Sequence, residues 1–211
     1  MNQISYQNKD VNPVATLGDF IWSKEQSLSE SFCKNMIKKF DESDHQQLDG
    51  AIGTGQIDPW VKQTRDLMIG SNLDDWQEED NILYKSLKDG LDEYFDYLDS
   101  IHSSLVFSSL IKLHDTGFQI QRYEPDGFYE WHHDWTMKND CSRVWTFIWY
   151  LNTIKKEDGG YTQFIDGTKV QPKVGRLVIF PATWTYLHRG FPPQVPKYIC
   201  TGWIYAKSRQ S

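Results

Sequence analysis

The sequence is poor in cysteine: Cys33, Cys141 and Cys200 are the only three among 211 residues, and no C-x-x-C pair occurs. An odd, widely spaced set argues against a zinc cluster or a disulfide framework, and implies reduced thiols in a cytoplasmic protein. Long apolar runs are missing too. No stretch approaches the ~20 apolar residues that a membrane helix needs, so no membrane partner is expected. Residues 1–17 are polar and lack a basic segment leading into an apolar one, so no secretory signal is expected either. Positive charge is in the minority, with 22 Lys and Arg against 29 Asp and Glu and a net charge of -7. A nucleic-acid surface would need clustered cations to neutralise phosphates, so nucleic acid is excluded as a partner and the acidity is read as solubility. Internal repeats and low-complexity linkers are absent.

Aromatic residues, by contrast, are plentiful. They form 15% of the chain and include nine tryptophans, which suits one domain (1–211) with a large core. Residues 1–104 read as a helical support region. Phe20-Ile21-Trp22 suggests a short strand. Ser27-Leu-Ser-Glu30 reads as a capping box, and Phe32, Met36, Ile37 and Phe40 then share one helical face. Residues 45–75 show little periodicity and read as loop with one strand. Leu83, Leu87, Leu91, Phe95, Leu98 and Ile101 mark a longer helix.

From residue 105 to 211 the period is that of strands. Runs at 118–123, 143–152, 161–165, 169–173, 175–181, 186–189 and 198–206 are separated by turn residues such as Glu157-Asp-Gly-Gly160 and Pro192-Pro193. The fold expected is mainly β with N-terminal helices (α+β): a double-stranded β-helix, or jelly roll, with helices packed on one sheet. Alternation along 143–152 assigns Trp145, Phe147 and Trp149 to the helix side, and leaves Thr146, Ile148 and Tyr150 for an inner cavity.

Within Gly127-Phe-Tyr-Glu-Trp-His-His-Asp-Trp135 lies a His-x-Asp triplet, His132 and Asp134, and a further candidate ligand, His188, follows 54 positions after Asp134. Two imidazoles and one carboxylate on one side of a ferrous ion form the facial triad of non-haem iron oxygenases. From about residue 118 onward the chain resembles the Fe(II)/2-oxoglutarate-dependent dioxygenases, and among them the prolyl 4-hydroxylase-like group. The resemblance rests on four motifs in order: Tyr123-Glu-Pro-Asp-Gly-Phe-Tyr129 leading to His132 and Asp134; Asp158-Gly-Gly-Tyr-Thr162; Gly175-Arg-Leu-Val-Ile-Phe-Pro181; and His188-Arg-Gly-Phe-Pro-Pro followed by Lys197.

The resemblance implies Fe(II) held by His132, Asp134 and His188, with 2-oxoglutarate as cosubstrate, O2 as oxidant and ascorbate as a reductant. It also implies that Lys197 receives the far carboxylate of 2-oxoglutarate, with Tyr123 and Tyr150 as hydroxyl donors and Thr201 beside them. Lys197 lies nine residues after His188, where the group usually spaces its cation by ten. His133, of opposite parity to His132, is expected to face outward, as is Arg189. The substrate expected is a prolyl residue of a peptide or protein, with a free amino acid or small metabolite as the alternative and a non-catalytic jelly-roll binder as a further one. Its contacts are assigned to Trp135, Tyr129, Trp203 and Arg65, on or near the loop 50–66 and the segment 136–142. A halogenase is disfavoured because Asp134 is present. A zinc hydrolase would leave the Lys197 anchor without a purpose.

Overall fold

The structure, a computed structural model, describes residues 16–53, 55–70, 74–101, 111–138 and 141–208. The expected boundary between 104 and 105 lies outside the described residues, as do residues 139–140 of the segment 136–142. Among the described residues there are two α-helices, α1 (Glu30–Glu42) and α2 (Gln77–Ile101). The first strands are β1 (Trp22–Lys24), β2 (Leu48–Asp49), β3 (Arg65–Ile69), β4 (Ile111–Asp115), β5 (Phe118–Tyr123), β6 (Tyr129–His132) and β7 (Met137–Lys138). After them come β8 (Cys141–Tyr150), β9 (Thr162–Phe164), β10 (Lys169–Val170), β11 (Leu177–Pro181), β12 (His188–Gly190) and β13 (Lys197–Ser208).

All pairings among the described residues are antiparallel. Among the described residues the larger sheet runs β1-β11-β8-β13-β5-β3-β2, with β4 also on β13 and β7 on β8, and the smaller runs β10-β9-β12-β6. The N-terminal region supplies strands close to the two expected there: β1 pairs with β11 and β3 with β5, setting Leu67 beside Ile120 and Trp22 beside Ile179. The physical reason is burial. Leu67 and Ile69 complete the same apolar face that the later strands build, and lie 1% and 0% exposed.

That outer face packs against both helices. Cys33, Met36 and Phe40 of α1 and Leu83, Leu87, Tyr94 and Leu98 of α2 meet Trp145, Phe147 and Trp149 of β8. Gly90 lets α2 approach β11, since a Cβ there would stand 2.4 Å from Leu177 Cδ2. The N-cap of α1 is Ser29, whose hydroxyl accepts from the Phe32 amide at 3.2 Å, rather than the expected Ser27. Ser27 is used elsewhere: its Oγ accepts from Trp149 Nε1 at 3.1 Å and bonds Ser86 Oγ at 2.8 Å, tying the start of α1 to β8 and α2. A second core lies between the sheets, where Tyr123, Ile148, Tyr150, Val178, Phe180 and Ile199 face Phe164 and Tyr186.

Candidate metal and cosubstrate site

Antiparallel pairing of β6 with β12 sets His132 directly opposite His188, and Asp134 follows just beyond the end of β6. His132 Nε2 lies 3.8 Å from Asp134 Oδ1, and His188 Nε2 lies 3.5 Å from Asp134 Oδ2. The three ligand atoms fall within 4.8 Å of one another. The orientation of each ring follows from its other nitrogen. Nδ1 of His132 is 2.7 Å from the Glu130 carbonyl, and Nδ1 of His188 is 3.0 Å from that of Tyr186. A carbonyl only accepts, so Nδ1 carries the proton in both and each Nε2 offers a lone pair to the centre. Thr146 Oγ1 donates to Asp134 Oδ2 at 2.7 Å.

The electrostatics agree. Burial, then the neighbouring His188, pulls His132 down to about 3, which keeps the imidazole neutral. Burial alone would raise Asp134, but His188, His132 and the Thr146 hydroxyl together hold it below the usual carboxylate range. Neutral nitrogen donors beside an ionised carboxylate are the set that a ferrous ion takes, so the residues fit iron. His133 is exposed, as its parity implies.

The same cavity holds Lys197, which is 1% exposed, although no acidic partner faces it among the described residues. Its Nζ donates to the Gly160 carbonyl at 3.1 Å and sits 3.8 Å from the centre of the Tyr123 ring. Burial pulls its pKa down to about 7. Thr201 and Trp203, two and three turns of alternation along β13, also line the cavity. The Thr201 hydroxyl donates to the Phe147 carbonyl at 2.7 Å. Trp203 carries the Arg143 guanidinium 3.8 Å above its ring, while its Nε1 is buried without a hydrogen-bond partner. Tyr129 also lines the cavity and lies flat on His132, with ring centres 3.5 Å apart.

Two expected residues lie elsewhere. Tyr150 does not line the cavity: its hydroxyl donates to Thr162 Oγ1 at 2.7 Å, and Thr162 reaches the cavity in its place. Arg65 faces away, because β3 turns Asp66 inward and Arg65 outward, where the guanidinium binds Asp49 at 2.5 Å and the Gln47 carbonyl at 3.0 Å. Trp135 is 43% exposed, next to Asp134 but outside the cavity wall. Arg189 points outward, over Trp131.

Alternation along β8 placed Thr146 on the cavity side, where it lies. Sequence reasoning missed Thr162, Gln121 and Arg143, whose positions depend on pairings between distant strands. A buried chain also went unseen: Gln119 Nε2 donates to Asp66 Oδ2, Gln121 Nε2 to Gln119 Oε1, and the Tyr123 hydroxyl to Gln121 Oε1, at 3.2, 2.8 and 3.3 Å.

A cavity with a His-Asp-His cluster and a buried cation defines a 2-oxoglutarate-dependent dioxygenase, using Fe(II), 2-oxoglutarate and O2. Residues 118–205 match the family model of the 2OG-Fe(II) oxygenase superfamily. Its fold is that of prolyl hydroxylases. The viral collagen prolyl hydroxylase of Paramecium bursaria Chlorella virus-1, in a 2OG complex, is 20% identical, with a TM-score of 0.63 over 88% of this chain and 96% of that one. A Pseudomonas putida prolyl-4-hydroxylase is 18% identical, with a TM-score of 0.64 over 90% and 93%. A Trichoplax adhaerens prolyl hydroxylase, in complex with a hypoxia inducible factor peptide fragment, is 16% identical, with a TM-score of 0.69 over 89% and 84%. No curated protein matches the sequence significantly.

Proposed function

We propose that this enzyme hydroxylates an unactivated C–H bond of a prolyl residue in a peptide or protein, with release of succinate and CO2, and that its two sheets form the jelly roll of that chemistry. The observation that carries the reading is the convergence of His132, Asp134 and His188 with the buried side chain of Lys197 in one cavity. Iron held by the three ligands supplies oxygen activation and C–H oxidation.

The chain's own residues supply position. Carbonyls of Glu130 and Tyr186 fix the imidazoles, and Thr146 fixes the carboxylate. Lys197 receives the far carboxylate of 2-oxoglutarate, and Thr201 and Ile199 line the space between it and the metal ligands. The substrate enters where Arg143 and Trp203 form a flat cationic shelf, a surface suited to a proline ring and its flanking carbonyls. Support for a peptide comes from the relatives in fold, one of them a collagen prolyl hydroxylase and another bound to a peptide fragment.

The test is succinate release by iron-loaded protein, compared between a proline-rich peptide and free L-proline or other amino acids. Peptide-dependent turnover is expected. Turnover of a free amino acid alone would remove the prolyl-protein reading and keep the oxygenase. Iron uptake without cosubstrate turnover under any condition would remove the oxygenase reading as well.

A further inference from the structure

A buried ion pair lies beside the site and takes no part in the roles above. Lys62 and Asp66 are each 4% exposed, with Nζ 2.6 Å from Oδ2. The carboxylate is saturated by Lys62, by Thr64 Oγ1 at 2.7 Å and by Gln119 Nε2 at 3.2 Å. The ammonium also donates to the Ala51 carbonyl at 3.3 Å, and Gly50 closes over it so tightly that a Cβ there would stand 2.9 Å from Lys62 Cε. Burying two charges is unfavourable, and well-packed apolar residues commonly serve stability as well or better. A built and enclosed pair of this kind therefore calls for a purpose other than stability.

The geometry supplies one. The Lys62 Nζ stands 5.2 Å from the centre of the Tyr129 ring, within the range of a cation–π contact. That ring is stacked on His132 with an interplanar angle of 14°. The backbone reinforces the contact: Lys62 bridges Tyr129, the Glu130 amide donates to Val61 at 2.8 Å, and the Gln63 amide donates to Phe128 at 2.8 Å. Residues 61–63 thus border β6, while Asp66 belongs to β3 of the larger sheet. One short segment ties both sheets together beside a metal ligand.

We propose that Lys62 is a positioning residue for His132: anchored by Asp66, it holds the Tyr129 ring, and the ring holds the imidazole. The inference rests on the iron-site reading of the preceding subsection. Two restraints then set His132, the Glu130 carbonyl at Nδ1 and the Tyr129 face, and Lys62 governs the second. Outer-sphere partners of metal-bound histidines typically change metal affinity about 10–100-fold when removed.

The experiment measures Mn(II), a redox-inert stand-in for iron, binding to apoprotein by titration calorimetry below the melting temperature of every variant. Lys62→Met and Tyr129→Leu are each expected to weaken Mn(II) binding by about tenfold or more, in keeping with a lost outer-sphere partner. The double variant should bind no worse than the weaker single, because both changes cut one chain of contacts. Lys62→Arg, which keeps the cation, should bind near the wild-type level. Lys62→Met combined with Asp66→Leu removes both charges and restores the melting temperature, yet should keep the Mn(II) defect. Normal Mn(II) affinity in Lys62→Met, with only a lowered melting temperature, would overturn the inference, as would losses that multiply in the double variant. A wild-type protein that binds no Mn(II) would overturn the iron-site reading and this inference with it.

Discussion

On β8, Trp145, Phe147 and Trp149 enter the helix-covered core, while Thr146 and Ile148, one residue away in each case, line the cavity. The same division runs along β5, with Phe118 and Ile120 outside and Gln119, Gln121 and Tyr123 inside, and along β13, with Tyr198 and Cys200 outside and Lys197 and Thr201 inside. The outer face is mainly aromatic and apolar. On the inner face Asp134, Gln121, Thr201 and Lys197 are buried and each is aimed by a named partner. One sheet therefore separates stability from function by parity alone. Substitutions on the outer face should act through volume, and those on the inner face through identity.

Four substitution experiments sharpen or break that contrast. The largest effect belongs to the ligands: alanine at His132, Asp134 or His188 should abolish Fe(II) binding and turnover, whereas His133→Ala leaves both near wild type. Equilibrium iron binding and succinate release check this, and the reverse result for the two adjacent histidines would invert the register. On the outer face Trp149→Ala should lower stability by about 3–5 kcal/mol in denaturant titration, with cosubstrate affinity intact in the folded fraction.

On the inner face Lys197→Ala does the opposite. Loss of a buried charge partner costs about 2–5 kcal/mol, so 2-oxoglutarate affinity should fall by tens to thousands of fold while metal affinity holds. Its titration has a definite sign. The protonated amine binds the dianion, and burial has pulled its pKa down to about 7. Affinity should therefore be flat at lower pH and weaken by about tenfold per unit as pH rises through that value, up to the raised pKa of the complex. Lys197→Arg should remove the slope. The smallest effect is Ser29→Ala, which removes the α1 cap and should cost about 1 kcal/mol in the same denaturant assay.

The sequence made the outer face legible because it is periodic: the stripe from Leu83 to Leu98 and the alternation of β8 can be read without neighbours. The ligands were legible for a different reason, since His132 and Asp134 are local and the motif around His188 is distinctive. What escaped depends on register between distant segments. Arg65 and Asp66 differ by one position, and only the pairing of β3 with β5 decides which faces inward. Tyr150 has the correct parity, yet Thr162 on β9 captures its hydroxyl, a contact set by the approach of the two sheets. The Ser27 cap failed likewise, because Trp149, 122 residues away, claims that oxygen.

The glutamine chain from Asp66 carries a sense as well as a shape. A carboxylate can only accept, so Gln119 must turn its NH2 toward Asp66 and leave its oxygen for Gln121. Gln121 then has its own oxygen left for the Tyr123 hydroxyl, whose proton is committed to that amide. A single buried charge thus writes a polarity that travels through two amides to the wall beside Lys197. To donate to an incoming carboxylate, Tyr123 must first release its 3.3 Å bond, the longest and weakest link in the series. The wall beside Lys197 thus has a preset direction of donors and acceptors, set from Asp66.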